Sequence, residues 1–399
     1  MAAVFAPTAI FFLLSLPELT EMKRWFGFGF NAFGQITVSD KLIDEDAVKE
    51  IKLVKPTELH SERSVKAASW SRRISLNLEG DRRVWLTGVC CELCVEESQG
   101  CTDAFLSESY LTLSFPDRTE SWSLQDNQNT RAWHRDLMTP PDSPGPTLSL
   151  PLVPGGYIAT KPPFFRSLSP HLKAKSLVLG AEHAILLSAT GVVYTWGLGS
   201  HGQLGHGGLT SEQEPRAVEA LWGMPMSCVA TGGWHSVCIS TGGDLYVWGW
   251  NESGQLGLPS HALRKAKQRS GEQTVALSQD ASTPPEEDKY EDVFISIQPF
   301  PALVDISPSC EISTVSCGSR HTAAVTTTGD LYTWGWGDYG QLGHQTVTSS
   351  DEPQRVDFFR EQKMFVTDVV CGAWNTFVAV QPLAKIMESP ASEDVHSVV

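Results

Sequence analysis

One phrase, met three times, limits what this chain can fold into more than any other feature. Residues 177–221 read LVLGAEHAILLSATGVVYTWGLGSHGQLGHGGLTSEQEPRAVEAL, residues 228–257 read CVATGGWHSVCISTGGDLYVWGWNESGQLG, and residues 315–344 read VSCGSRHTAAVTTTGDLYTWGWGDYGQLGH. Each carries Gly-x-x-His, an apolar run, a Gly turn, Tyr-x-Trp-Gly and Gly-Gln-Leu-Gly. The Gly-x-x-His glycines are Gly180, Gly232, Gly318 and Gly372, at steps of 52, 86 and 54. Trp196, Trp248 and Trp334 keep the same steps of 52 and 86, as do Gly202, Gly254 and Gly340. The unit is therefore 52 residues, and a 34-residue insertion follows Gly257. A fixed period of this length marks a repeat architecture, whose units are too small to bury an apolar face alone.

Within a unit, short apolar or alternating runs such as His321–Val325 and Leu331–Trp334 are joined by Gly turns. Gly supplies the positive φ of tight hairpins, and no run shows a clear helical period, so the unit is all-β. Strand-rich units of about 40–50 residues are propeller blades. The fourth unit stops after its first two strands, with Asn375 in the His slot. Its missing half is expected at the other end of the chain. Residues 25–36, WFGFGFNAFGQI, place Phe26-Gly27 in the Trp-Gly slot and Gly34-Gln35-Ile36 in the Gly-Gln-Leu slot. N-terminal strands that complete the last blade would close the ring and remove exposed sheet edges.

Residues 37–176 are more worn. Ser69-Trp70-Ser71 stands where Gly-x-x-His would be, and Trp85 lies near the Trp-Gly slot. Leu111–Phe115 and Glu120–Leu124 are expected remnants of the next blade. Ala68 to Gly180 is 112 residues, or two units of 56, which favours six blades, with seven open. Residues 138–163 are Pro-rich and are expected to be a loop without a central strand. The expected domain plan is an extension outside the fold over 1–21, one propeller over 22–384 with degenerate blades over 37–176 and clear repeats over 177–381, and a disordered tail over 385–399. The insertion, 259–292, runs from basic to acidic and is expected to be a disordered loop.

These phrases resemble the regulator of chromosome condensation repeat family of β-propellers, over 177–381 and again in 25–36. Propellers of this family usually have seven blades. The WFGFGF opening, the GWNESGQL phrase and the long insertion resemble a branch that pairs with a jumonji-type demethylase and hydroxylase. The resemblance implies a non-enzymatic adaptor at chromatin, nuclear and chromosomal, with the cytoplasm as a second location. Its expected partners are a jumonji-domain demethylase/hydroxylase and histones. Its expected roles are histone methylation control, mitotic spindle organisation and chromosome segregation. The family's founder implies the alternative, guanine-nucleotide exchange on a small GTPase, although the founder's basic N-terminal arm has no counterpart here.

Charge and chemistry bound these expectations. The net charge of −16 argues against non-specific nucleic-acid binding, and no sequence-specific DNA contact is expected. An acidic surface suits basic partners such as histone tails and serves solubility equally well. The apolar stretch in residues 1–20 is too short for a comfortable membrane span, so no membrane is expected. Nine cysteines without an obvious pairing fit a reducing compartment. Cys90, Cys91, Cys94 and Cys101 form one metal-like cluster, yet zinc sites usually show two spaced pairs, so buried or loop thiols are preferred. No cofactor is expected, since phosphate-loop and nucleophile-elbow motifs are missing.

His183, His235 and His321 recur once per blade, whereas a catalytic residue is normally singular. They are expected to be structural, each ring bonding backbone groups of its own blade, with Trp196, Trp248 and Trp334 packed between blades. Gly180, Gly232, Gly318, Gly372 and Asn375 complete that structural set. Candidate partner contacts are Trp234, Arg320 and Trp374, which vary inside the constant Gly-x-x-(His/Asn) phrase; packing against neighbouring blades is the alternative.

Overall fold

The computed structural model describes residues 23–37, 51–61, 63–77, 82–89, 91–125, 130–137, 148–265, 293–306 and 310–383. The expected extension over 1–21, the tail over 385–399 and most of the insertion lie outside them. The described strands form seven antiparallel sheets, six of four strands and one of three. In chain order these are blade 1 (64–95), blade 2 (103–136), blade 3 (152–167), blade 4 (174–217), blade 5 (226–304), blade 6 (312–355) and a composite blade 7. No described helix is long and apolar enough to cross a membrane.

Local chemistry explains a blade. In blade 6 the strand His321–Thr326 has all six residues buried, because a central strand is covered on both faces by neighbouring blades. Its hairpin then turns at Gly329 with φ of 79°. The Thr326 hydroxyl accepts the Asp330 amide at 3.0 Å, and Ser240 does the same for Asp244 at 3.0 Å in blade 5. These Ser/Thr side chains hold the turn in each copy of the phrase.

Blade 7 orders its strands Lys52–Leu59, Arg24–Phe30, Asn375–Pro382, Met364–Cys371. Gly29 sits opposite Asn375 as Gly335 sits opposite His321. The register therefore corrects the sequence alignment: Phe28-Gly29, rather than Phe26-Gly27, occupies the Trp-Gly slot.

The spacing-based preference for six blades is corrected to seven. Units of 56 residues overestimate the worn blades, three of which fit within 64–167. The third is the small sheet Leu152–Val153, Gly156–Ile158 and Phe165–Ser167, and its first two strands lie within the Pro-rich stretch expected to be a loop. Pro151 and Pro154 flank Leu152–Val153 instead of interrupting it, so the missing amides cost the ladder little. The expected remnants in blade 2 are the strands Tyr110–Ser114 and Arg118–Ser123.

Each of the seven hydrophobic clusters formed by the described residues lies at a boundary between two blades. Val237, Val247 and Leu256 of blade 5 meet Ile312, Val315 and Trp334 of blade 6. Trp25, Leu53 and Phe377 of blade 7 meet Val65 of blade 1. Trp248 and Trp334 are completely buried at such boundaries. Burying one aromatic side chain contributes about 2–3 kcal/mol, so boundaries carry most of the apolar stabilisation.

Candidate protein-docking face

The Gly-x-x-His turn begins with a close approach. A Cβ on Gly232 would stand 2.1 Å from the His235 Cε1 and 2.4 Å from the Gly318 carbonyl oxygen of the next blade. Gly180, Gly318 and Gly372 meet their own ring or amide in the same way. The His rings then reach across the boundary. His183 Nε2 lies 2.8 Å from Ser236 Oγ, His235 Nε2 3.0 Å from Thr322 Oγ1, and His321 Nε2 3.0 Å from Thr376 Oγ1. Each hydroxyl donates onward to a carbonyl of the previous blade: Ser236 to Gln203, Thr322 to Gln255 and Thr376 to Gln341, at 2.8, 2.7 and 2.8 Å. With its proton so committed, each hydroxyl accepts from Nε2–H. The expected bond to own-blade backbone is thus corrected: the rings clasp the next blade's Ser or Thr. Burial holds the rings neutral, pushing His183 to about 4 and His235 and His321 to about 3.

The tryptophans serve the same boundaries. Trp248 Nε1 donates to Gln203 O at 2.9 Å and Trp334 Nε1 to Gln255 O at 3.0 Å, while Trp196 Nε1 reaches Tyr157 Oη of blade 3 at 3.4 Å. Asn375, in the fourth His slot, instead donates within blade 7 to Phe30 O at 3.2 Å. Blade 1 solves the boundary differently. Its register sets Arg72 opposite Gly88, so Ser69 holds the Gly slot and Arg72 the His slot, one residue later than the sequence suggests. Arg73, buried, then replaces the small hydroxyl, donating from Nε to Gln35 O at 2.9 Å and from Nη2 to Thr87 Oγ1 at 3.2 Å. Thr87 holds the Trp slot, so the pair Arg73 and Thr87 replaces hydroxyl and indole together.

One end of the ring gathers the variable positions. Trp234, Arg320 and Trp374 each precede the His or Asn slot, as does Glu182 in blade 4. Their carbonyls accept from the amide that follows Trp-Gly or Phe-Gly: Leu198 to Glu182, Trp250 to Trp234, Trp336 to Arg320 and Phe30 to Trp374, at 2.9, 2.9, 2.8 and 2.8 Å. The preceding glycine makes this approach possible. Gly335 has φ of 103°, and a Cβ there would lie 2.5 Å from the Arg320 carbonyl.

The side chains of these two slots, with those before Gly-Gln-Leu or Gly-Gln-Ile and with Trp70 of blade 1, join into a belt across blades 4, 5, 6, 7 and 1. His201 stacks on Trp234 at 5.0 Å, and Trp234 meets the edge of Trp250 at 5.1 Å. The Arg320 guanidinium lies over Trp250 at 4.8 Å and over Trp336 at 5.9 Å. Trp336 touches Tyr339 at 5.4 Å, and Tyr339 stacks on Trp374 at 5.5 Å. Trp374 meets Phe30 at 5.3 Å, and Phe33 meets Trp70 at 4.8 Å. Trp234 Nε1 donates to the Glu182 carboxylate at 2.8 Å. Arg320 and Trp70 are exposed and most of the others half-buried. Each aromatic pair contributes about 0.5–1.5 kcal/mol beyond its buried area, so the belt is a stiff surface.

The structure therefore brings Trp234, Arg320 and Trp374 into one array. Sequence reasoning passed over Trp250, Trp336, Phe30, His201, Tyr339, Phe33 and Trp70. For all of these but Trp70 the signal was present: the residue after Trp-Gly or Phe-Gly and the residue before Gly-Gln-Leu or Gly-Gln-Ile vary at fixed offsets, as the chosen slot does.

The cysteine cluster divides between elements. Cys94 lies in the outer strand Cys91–Val95 of blade 1, and Cys101, buried, precedes blade 2 with its thiol 3.7 Å from Arg82 O. Cys90 and the side chain of Cys91 lie outside the described residues. Among the described residues, no group of three His, Cys, Asp or Glu side chains is placed to hold a metal.

Comparison with known proteins bears on this geometry. A family model described as the regulator of chromosome condensation (RCC1) repeat matches residues 190–239, 242–325 and 328–379. A second model of the same repeat matches 174–203, 227–255 and 312–341. The chain is 41% identical over 372 residues to RCC1 domain-containing protein 1 of Homo sapiens, covering 89% of this chain and 96% of that one. The Mus musculus protein of the same name is 41% identical over 382 residues, with coverage of 89% and 96%. Among solved structures, Prp20p of Saccharomyces cerevisiae matches with a TM-score of 0.66 at 15% identity, covering 93% of this chain and 96% of that chain.

Proposed function

The chain belongs to the RCC1 repeat family, and from that premise we propose that it is a non-enzymatic interaction propeller whose docking face is the aromatic belt. The observation that carries this reading is the belt itself: ring contacts run from His201 to Trp70 on five blades, with the exposed Arg320 set among them. Loops held on a rigid scaffold are where propellers bind, and Trp, Tyr and Arg dominate binding energy at interfaces. Blade boundaries linked by the His, Ser/Thr and Gln network would keep the face in shape without a partner, which lowers the entropy cost of docking.

The partner in this proposal is a jumonji-domain demethylase/hydroxylase, with histones as further partners, in the nucleus and on chromosomes. Control of histone methylation, spindle organisation and chromosome segregation follow from it. This finer part rests on the family resemblance. The proposal also gives the N-terminal strands the role of closing the ring, supported by the pairing of Arg24–Phe30 with Asn375–Pro382 and by the cluster that joins Trp25 to Val65. Deleting 25–36 is expected to abolish the cooperative thermal transition; an unchanged transition would remove this role.

The test is affinity capture from nuclear extract by the full chain and by a Trp336→Ala/Trp374→Ala variant that still unfolds in one cooperative thermal transition. Capture of a jumonji oxygenase by the first and its loss from the second supports the reading. Equal capture by both moves the docking face elsewhere. The second reading, nucleotide exchange, draws on the fold shared with Prp20p, whose structure is described together with its binding to Gsp1p and histones. Capture of a small GTPase only in the absence of nucleotide, with accelerated nucleotide release, would put that reading first.

A further inference from the structure

The sequence has 46 acidic side chains against 30 basic ones, so most surface cations are expected to find a carboxylate. Arg24, Arg63, Arg118, Arg216 and Arg355 each do, at 2.6 to 2.8 Å. Arg320 differs. It is exposed, and among the described residues it forms no ion pair and its guanidinium donates no hydrogen bond. Its contacts are the faces of two indoles, Trp250 at 4.8 Å and Trp336 at 5.9 Å. Elsewhere on the belt, the Glu182 carboxylate accepts from Trp234 Nε1 at 2.8 Å.

A guanidinium that stacks uses its faces and leaves its edge, with a fork of N–H donors, open to the outside. That edge matches a carboxylate bidentately. Stacking on indoles narrows the rotamers of Arg320 before any ligand arrives, and the aromatic floor shields the pair from water, so an ion pair formed there is stronger than one on an open surface. Lys52, over Tyr339 at 5.1 Å, adds a second cation to the same face.

We propose that Arg320 is the anchor by which this face captures a carboxylate side chain, carried by an acidic partner segment with an apolar residue beside the acid. The proposal rests on the docking-face reading and deepens it by naming the chemistry taken. It also separates the face from the rest of the surface: a net charge of −16 favours basic partners overall, but this fork selects an acid. A phosphate would fit the fork too. A nucleic-acid strand, however, is held by a track of cations, and the described belt offers Arg320 and Lys52 on an acidic protein.

The test uses the full chain and a phage-displayed library of random peptides. Recovered peptides are synthesised, and those that lose binding to the Trp336→Ala/Trp374→Ala variant are taken as belt binders. Belt binders are expected to carry Asp or Glu next to an apolar residue. Replacing that acid by Asn or Gln should weaken binding about tenfold or more, Arg320→Gln should weaken it equally, and the two losses should not add. Arg320→Lys, which keeps the charge without the fork, should fall between. Belt binders that lack an acid, or an affinity for Arg320→Gln within about twofold of the unaltered chain, overturn the anchor and leave the docking face standing. Failure to recover any belt-dependent peptide overturns the docking face and the anchor with it.

Discussion

Three imidazoles sit at blade boundaries where a second proton has nowhere to go. His183, His235 and His321 are buried, and each Nε2 faces a hydroxyl of the next blade. Each Nδ1 is also buried and has no hydrogen-bond partner among the described residues. Burial lowers His183 from 6.5 to about 4 and the other two from 6.5 to about 3. When the folded value lies below the unfolded one, the unfolded chain takes up protons first. Stability is therefore whole above pH 7 and is lost as the pH falls through 6.5, towards 4 for His183 and towards 3 for the other two. At pH 5 an unfolded ring is almost fully protonated while the folded ring is neutral, so each ring costs about 2 kcal/mol relative to pH 7, and the three together about 5–6 kcal/mol. That approaches the whole stability of an ordinary domain. The assay is urea unfolding followed by tryptophan fluorescence at both pH values. His235→Gln, which keeps an amide donor near Thr322, should be less stable than the unaltered chain at pH 7 yet lose about 2 kcal/mol less on acidification. Equal acid sensitivity of the two proteins would refute the reasoning.

Three further outcomes follow from boundary geometry. Gly232→Ala puts a methyl 2.1 Å from the His235 ring and should cost about 2–4 kcal/mol in chemical unfolding, whereas Gly208→Ala, with its nearest neighbour at 3.8 Å, should be close to neutral. Arg73→Met removes the bond to Gln35 O and should raise hydrogen exchange over residues 24–36, at a cost of about 2–3 kcal/mol. Trp248→Phe removes one of the two hydrogen bonds that the Gln203 carbonyl accepts and should cost about 1 kcal/mol more than Trp25→Phe, because the buried Trp25 Nε1 has no partner among the described residues.

How much of this was legible depended on whether a residue answers to its own strand or to its neighbour. The period of Gly180, Gly232, Gly318 and Gly372 is a property of one strand and its turn, and it placed blades 4 to 7. Arg72 and Arg73 answer to Glu108 and Gln35 on adjoining blades, so a search for Gly and His misread their register by one residue. Blade 3 stayed hidden because strands of two and three residues are too short to show a period, and Pro151 and Pro154 read as breakers although both stand outside the strand between them. On the docking face, Trp234, Arg320 and Trp374 stood out by varying within a fixed phrase. Trp250 and Trp336 did not, because a tryptophan at a strand end looks like ordinary core.

Since every apolar cluster spans two blades, no blade is an independent tenant of the ring. Arg73 and Thr87 show what this entails: at the seam between blades 7 and 1 a guanidinium and a threonine stand where the seams of blades 5 and 6 have a hydroxyl and an indole. A chimera that transplants one whole blade would therefore carry two mismatched seams. A graft of two adjoining blades would carry the seam between them intact, since that seam draws on both halves of each blade, as Val237 and Val247 with Ile312 and Trp334 show, and it is the better unit of exchange for engineering this ring.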